Sequence, residues 1–296
     1  MPIGSPEQIN GDDRLTPQQR DAYMAYHRAR NASNAAASKS AQIATLPAPA
    51  SIAFADPGST PARVATLRFF EWAARHLAPT FAGREVTIVD LGCGTGRQLV
   101  HFESAGFRGT YIGIEISRHS AWKDGPTPRF RRELRVADAH TFNPATLPPF
   151  DLLISSTALE HLRDDAHSLG VLRTRLVDGG AEIHVVPGEA SLDVYGPHGW
   201  RQYSPACLAR LFPGSEIFRL DGPLSRLVQR RATSPAWDPS RPSLARRRPS
   251  FYRFLRDAAI SLDRTIENPR PTMYGVLARH DPSSAAQKTP ENRAAA

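Results

Sequence analysis

The chain has 296 residues, of which 41% are hydrophobic, and it carries a formal net charge of +8. This length predicts one large domain or two small ones, and no apolar run approaches the roughly 20 residues that cross a bilayer, which excludes a membrane-spanning protein. With only two cysteines, Cys93 and Cys207, a disulfide framework is excluded and a reducing, cytoplasmic environment is expected.

The first 60 residues are predicted to be a flexible extension, because they are rich in Ala, Ser, Asn, Gln and Pro. One short helix is expected within them, with Thr16 as its N-cap, Pro17 at its first position and Arg30 near its end. The alternative for this region is a helical lid that folds over a ligand site.

From residue 61 onward, short apolar runs alternate with segments of helical spacing. This alternation predicts a parallel sheet with helices on both faces, and ligands in such sheets bind beyond the carboxyl ends of the strands. The predicted strands are 86–90, 109–115, 134–138, 150–155, 181–186, 216–220 and 273–279, and the predicted helices are 62–78, 97–105, 164–176 and 204–212.

A long insertion, residues 222–271, precedes the last predicted strand. Nine arginines lie between Arg226 and Arg256, including a run of three at 246–248. The favoured interpretation of these arginines is a solvated basic face, and the alternative is a surface that binds RNA phosphates. The polar, alanine-rich residues 281–296 are predicted to be a disordered tail.

The most informative stretch is the turn after the first predicted strand. Residues 90–96 read D-L-G-C-G-T-G, an acidic residue followed by alternate glycines. Glycine has no Cβ and tolerates positive φ, so the backbone here can approach a ligand closely. The spacing departs from the G-x-G-x-x-G dinucleotide fingerprint, which weakens the alternative of an NAD-dependent oxidoreductase.

Carboxylates stand at the ends of the neighbouring strands. Glu115 ends the second strand, where it can accept both hydrogen bonds of a ribose diol. Asp138 ends the third and can accept a hydrogen bond from an adenine amine, beside the backbone of Ala139. Asp90 and Asp151 are expected to face the same crevice, where they would suit a cationic ligand. Neither of these two has metal-ligand spacing, and no metal is predicted.

Taken in order, these motifs resemble those of the class I S-adenosylmethionine (SAM)-dependent methyltransferases. They are residues 89–96 (VDLGCGTG), 113–115 (GIE), 137–139 (ADA), 150–155 (FDLLIS) and 158–162 (ALEHL). Residues 176–180 (LVDGG) resemble the family's L-x-P-G-G turn, with Asp178 in place of the proline. The resemblance implies methyl transfer, with SAM as the cofactor. It also implies a doubly wound, mostly parallel seven-stranded Rossmann-like sheet over residues 61–280, with an antiparallel last strand.

The resemblance also assigns roles to particular residues. The implied cofactor site consists of Asp90, Gly92, Cys93, Gly94, Gly96, Glu115, Ile116, Asp138, Ala139 and Ser155. The candidate catalytic residues are His161, His198 and Tyr203. A general base is needed if the nucleophile is a hydroxyl, and His161 is the nearest titratable candidate, with cofactor packing as its alternative role. Residues 198–204 (HGWRQYS) resemble a run found in small-molecule methyltransferases above the methyl donor, with loop packing as the alternative.

Two features that the sequence lacks reduce the range of possible methyl acceptors. The fourth strand is not followed by an Asn/Asp-Pro-Pro-aromatic run, and Cys207 lies on a later helix rather than near that strand. Enzymes that methylate nucleic-acid bases by those routes are therefore disfavoured. The prediction is methyl transfer to an O or N atom of a small-molecule or glycan-type acceptor. An RNA methyltransferase that uses the arginine-rich insertion and a non-catalytic SAM-binding module are the alternatives.

Overall fold

The computed structural model describes residues 5–38, 42–47, 56, 58–233, 243–266 and 270–280. The strands in these ranges are β1 (Ala44–Thr45), β2 (Val86–Leu91), β3 (Gly109–Glu115), β4 (Phe130–Val136), β5 (Phe150–Ser156), β6 (Leu176–Pro187), β7 (Glu216–Arg219) and β8 (Met273–Arg279). The helices are α1 (Pro17–Ala37), α2 (Pro61–Leu77), α3 (Leu99–Ser104), α4 (Asp165–Arg173), α5 (Leu192–Tyr195), α6 (Pro205–Leu211), α7 (Pro223–Ala232), α8 (Leu244–Arg247) and α9 (Pro249–Asp263).

The described strands form one mostly parallel sheet in the order β1-β7-β8-β6-β5-β2-β3-β4. Only β8 runs antiparallel to its neighbours, β6 and β7. The sheet has eight strands rather than the predicted seven, because the two-residue strand β1 pairs with β7 at one edge. The chain order reverses at β2, which pairs with β3 on one side and β5 on the other. A crevice at the carboxyl ends of these strands is the expected ligand site.

Both faces of the central strands β2 and β5 are buried, as their unbroken apolar runs predict. Alternate residues of β2 serve opposite faces: Ile88 packs with Phe70 of α2, and Val89 packs with Leu169 of α4. Helix α2 lies close against β8 at Gly275. A Cβ added to this glycine would stand 2.7 Å from the ring of Phe69 in α2, so the absence of a side chain permits the contact. This close contact holds α2 against β8.

Strand β6 is longer than expected. Residues 178–180 read as a turn before the strand, but they lie within β6, and Gly179 has a φ of 77°. The register against β5 shifts here, since Phe150 faces Leu176 whereas Leu152 faces Ala181. A bulge that takes up the extra residues explains how a D-G-G sequence remains part of a strand.

The N-terminal region and the insertion contact the helices that surround the sheet. Helix α1 continues to Ala37, beyond the predicted end at Arg30. In the insertion, Arg256 of α9 is buried and donates a hydrogen bond to the carbonyl of Ser59. The predicted tail at 281–296 lies outside the described residues. In the part of the chain that the structure describes, every helix is too short or too polar to span a membrane.

Candidate functional site

Two adjoining cavities open at the carboxyl ends of β2, β3 and β5. The β2 cavity, of about 590 Å³, is lined by Asp90, Cys93 and Gly94 of the glycine turn among others. The β3 cavity, of about 570 Å³, is lined by the ends of β3 and β4. Gly92 and Thr157 line both cavities. Thr157 has a φ of 51°, a strained conformation of the kind that clusters at ligand sites.

Each glycine of the turn has its own structural reason. All three have positive φ: 68° at Gly92, 53° at Gly94 and 70° at Gly96. A Cβ on Gly92 would stand 2.4 Å from the Cβ of Ala158, and one on Gly96 would stand 2.9 Å from the Trp122 ring. A Cβ added to Gly94 would have no atom within 4 Å, apart from its own chain neighbours. Gly92 and Gly96 therefore allow close packing, whereas Gly94 presents bare backbone to the β2 cavity.

Two buried carboxylates line the β2 cavity. Asp90 accepts a hydrogen bond from the Tyr111 hydroxyl, while its Oδ1 has no partner among the described residues. Both oxygens of Glu160 likewise lack a hydrogen-bond donor among those residues. Burial raises the pKa of Asp90 to about 7 and that of Glu160 to about 7. Carboxylates in this condition favour a cationic ligand, because its charge offsets the cost of their burial.

Arginines also line the β2 cavity, and sequence reasoning had not identified them. Arg63, in the first turn of α2, and Arg97 both contribute to the lining. Burial, followed by the charge of Arg97, lowers the pKa of Arg63. An anionic group would relieve this repulsion. Because Arg63 lies outside every recognised motif, no local signal in the sequence pointed to it.

The β3 cavity holds the second group of predicted cofactor residues. Glu115 accepts hydrogen bonds from the backbone N–H groups of Gly94 (2.9 Å) and Ile116 (3.0 Å). Asp138 accepts one from the backbone of His140, which lowers its pKa. The Ile116 side chain is 72% exposed beside these acids and lines the cavity together with Ala139. Polar acceptors and one apolar surface thus face the same space.

A cluster of two histidines and one aspartate borders both cavities. His161 lines the β3 cavity and His198 lines the β2 cavity. Their rings meet edge to face, with centroids 4.7 Å apart. Asp12 Oδ2 lies 2.6 Å from His161 Nδ1, and Asp12 Oδ1 lies 3.2 Å from His198 Nδ1. Asp12 comes from the N-terminal region and belonged to no predicted site.

Several predicted residues lie elsewhere. Tyr203 is buried and donates a hydrogen bond to Asp165 at 2.6 Å. Ser155 is buried, with its Oγ 2.8 Å from Nδ1 of His184. Neither residue lines the two cavities. Asp151 lies at the amino end of β5 and pairs with Arg84 at 2.6 Å, so the expectation that it faces the crevice is wrong.

Comparison with known proteins places the chain in a family. A family model described as a methyltransferase domain matches residues 53–220. No curated protein matches the chain significantly.

One similar solved structure is a SAM-dependent methyltransferase from Archaeoglobus fulgidus, with 18% identity and a TM-score of 0.44 over 71% of this chain and 92% of that one. A putative sarcosine dimethylglycine methyltransferase from Galdieria sulphuraria has 19% identity and a TM-score of 0.46, over 73% and 85%. The plantazolicin methyltransferase BpumL has 13% identity and a TM-score of 0.44, over 94% of each chain.

The family match agrees with the sequence motifs in their order along the chain. It confirms the predicted family and, with it, SAM as the cofactor. Because the matched region spans more than half of the chain, the protein belongs to the methyltransferase domain family.

Proposed function

We propose that this protein transfers a methyl group from SAM to an O or N atom of a polar small-molecule or glycan-type acceptor. The observation that carries the proposal is the pair of adjoining cavities that share Gly92 and Thr157. The β3 cavity is lined by carboxylates that can accept hydrogen bonds from a nucleoside, and the β2 cavity is lined by buried carboxylates. When bound, SAM supplies a methyl group activated by its cationic sulfur. The protein then has to align a nucleophile with that group.

The residues present fit this cofactor. In the β3 cavity, Glu115 is proposed to hold the ribose hydroxyls, and Asp138 with Ala139 the adenine edge. In the β2 cavity, the unpartnered Oδ1 of Asp90 suits the ammonium group of the methionine end. Arg63, which also lines this cavity, suits its carboxylate. Gly94 leaves the open space that the methionine end requires.

The acceptor side is polar and holds titratable groups. His198, Glu160 and Tyr195 line the β2 cavity, and His161 lines the β3 cavity. His161 is proposed as the general base, which takes the proton of an acceptor hydroxyl as the new bond to carbon forms. A lining of carboxylates and imidazoles offers hydrogen bonds to the several hydroxyl groups of a glycan-type ligand.

The arginine-rich insertion gives less support to an RNA acceptor. Arg256 is buried and bonded to backbone carbonyls, and Arg226 donates to the carbonyl of Arg270. Both guanidinium groups donate to backbone carbonyls of this chain, so they have fewer hydrogen-bond donors left for phosphates. A small polar acceptor therefore agrees better with the described residues.

The test combines binding and turnover. The protein is incubated with labelled SAM and small-molecule extracts of its own cells, and methylated products are identified by mass spectrometry. His161→Asn is expected to lower turnover about 100-fold or more and to leave SAM affinity within about twofold. His167→Asn, on the exposed side of α4, is the matched control. Failure of the wild-type protein to bind SAM would refute the proposal, and full turnover by His161→Asn would refute the role of that histidine.

A further inference from the structure

The N-terminal region reaches the acceptor side through a two-residue contact. The backbone N–H of Gly11 donates to the carbonyl of Gly199 at 2.8 Å. In return, the backbone N–H of Gly199 donates to Oδ1 of Asp12 at 3.1 Å. These reciprocal bonds place Asp12 beside His198, although the two residues are far apart in sequence.

The fit between these segments is tight. A Cβ on Gly11 would stand 2.2 Å from the backbone nitrogen of His198, and one on Gly199 would stand 2.5 Å from the carbonyl oxygen of Glu160. Tyr23 of α1 is fully buried nearby, and its hydroxyl donates to the carbonyl of His198 at 2.8 Å. The segment that carries Asp12 is therefore fixed by packing and by backbone hydrogen bonds.

Asp12 contacts both histidines through Nδ1. A carboxylate on Nδ1 selects the tautomer of an imidazole and leaves Nε2 to exchange a proton with a ligand. Nε2 of His161 lies 3.9 Å from Glu160, toward the cavities. The charged and titratable groups that face His161 are Asp12, Glu160, Glu115 and His198.

The electrostatics agree with this geometry. Burial alone would lower the pKa of His161, but the hydrogen bond of Asp12 and the charge of Glu160 outweigh burial and raise it. Burial likewise acts to raise the pKa of Asp12, and the hydrogen bonds with both histidines hold it well below its usual range. Asp12 is thus a carboxylate that stabilises a positive charge on His161.

We propose that Asp12 is a positioning residue that orients His161 and His198, so that the N-terminal region completes the acceptor side for a substrate that reacts through a hydroxyl group. The inference rests on the proposed function. As the acceptor oxygen bonds to the methyl carbon and the carbon–sulfur bond breaks, Nε2 of His161 takes the hydroxyl proton. The carboxylate of Asp12 then compensates the imidazolium charge until the proton passes to water.

A titration that needs no acceptor tests the positioning directly. The histidine imidazoles of the full chain are followed by NMR across pH for the wild type, Asp12→Asn and the matched control Asp13→Asn. We expect the midpoint of His161 to fall by about one pH unit in Asp12→Asn and to stay unchanged in Asp13→Asn. An unchanged midpoint in Asp12→Asn would overturn the proposal, whether or not the protein proves to be a methyltransferase.

A second variant disturbs the same contact sterically. Gly11→Val removes the fit against His198 and keeps the carboxylate, and it should lower the His161 midpoint as Asp12→Asn does. A midpoint that stays at the wild-type value in this variant would contradict the anchoring by Gly11.

Turnover of the acceptor found in the extract then measures the consequence. Asp12→Asn should lower kcat about tenfold or more, keep SAM affinity within twofold and move the acidic limb of the pH profile to lower pH.

The same three side chains place their ligand atoms within 4.8 Å of one another, a spacing that could hold a metal ion. Calorimetric titration with Zn²⁺ alone separates the two interpretations. Stoichiometric Zn²⁺ binding that is lost in Asp12→Asn, together with loss of turnover on chelation, would overturn direct positioning. No binding in the low-micromolar range supports it.

Discussion

The cofactor side and the acceptor side of this site are built in different ways. On the cofactor side, one strand and the turn that follows it present backbone groups, and Glu115 from the neighbouring strand caps the turn at Gly94. On the acceptor side, Asp12, His161 and His198 come from three separate segments, and contacts between residues far apart in sequence bring them together. The first arrangement is fixed by local backbone geometry, whereas the second depends on long-range packing.

The largest effect should follow a change in the glycine turn. Gly94→Val puts a branched side chain into the β2 cavity, and we expect SAM affinity to fall more than about 100-fold. Gly83→Val is the matched control, since Gly83 also has positive φ and no atom within 4 Å of an added Cβ, but lies outside both cavities. Calorimetry gives the SAM affinity of each variant.

The control separates strain from occupation of the cavity. Both valines should cost about 1–2 kcal/mol of folding stability, because both occupy left-handed backbone. Thermal unfolding measures this cost. Equal loss of SAM binding in Gly83→Val and Gly94→Val would show that strain alone is responsible, and the cofactor side would then be less local than described.

A smaller effect is expected at the ribose position. Glu115→Ala should weaken SAM binding by about 1.5–3 kcal/mol, the scale of hydrogen bonds to a charged group. Glu85→Ala, at an exposed position before β2, is the control and should leave affinity unchanged. Wild-type affinity in Glu115→Ala would remove this residue from the cofactor side.

Most of the sheet could be predicted from the sequence, because its strands are short apolar runs bounded by clear turns. The bounds of β3 and β8 match the prediction. Strand β1 could not be found, since Ala44–Thr45 is too short to show any periodicity. The start of β6 was predicted too late because a D-G-G sequence usually marks a turn, whereas here it forms a bulge within the strand.

Site residues could be predicted from the sequence only where they lie at the end of a predicted strand. Glu115 and Asp138 follow strands of a parallel sheet, so their place at the cavity could be inferred before the structure. Asp12 reaches His161 across 149 residues, and no local pattern encodes such a contact. Tyr203 belongs to the same sequence run as the candidate catalytic residue His198, yet its hydroxyl donates a hydrogen bond to the buried Asp165.

The smallest predicted effect concerns pH and tests which side holds the cation. Asp90 and Glu160 both have a pKa of about 7, and a bound cation favours their ionised forms. Below pH 7 each must lose a proton before it can pair with the ligand, so SAM affinity should fall about tenfold, or about 1.4 kcal/mol, between pH 8 and pH 6 for each group involved.

Calorimetry in two buffers of different ionisation enthalpy, at pH 6, 7 and 8, gives both the affinity and the protons released. If the ammonium group lies on the cofactor side, Asp90→Asn should abolish most of the pH dependence and weaken binding at pH 8, while Glu160→Gln should retain it. The reverse result would place the cation beside Glu160 and His161. That region is assigned to the acceptor. Such a result would therefore contradict the assignment of Asp90 to the cofactor side and of Glu160 to the acceptor side.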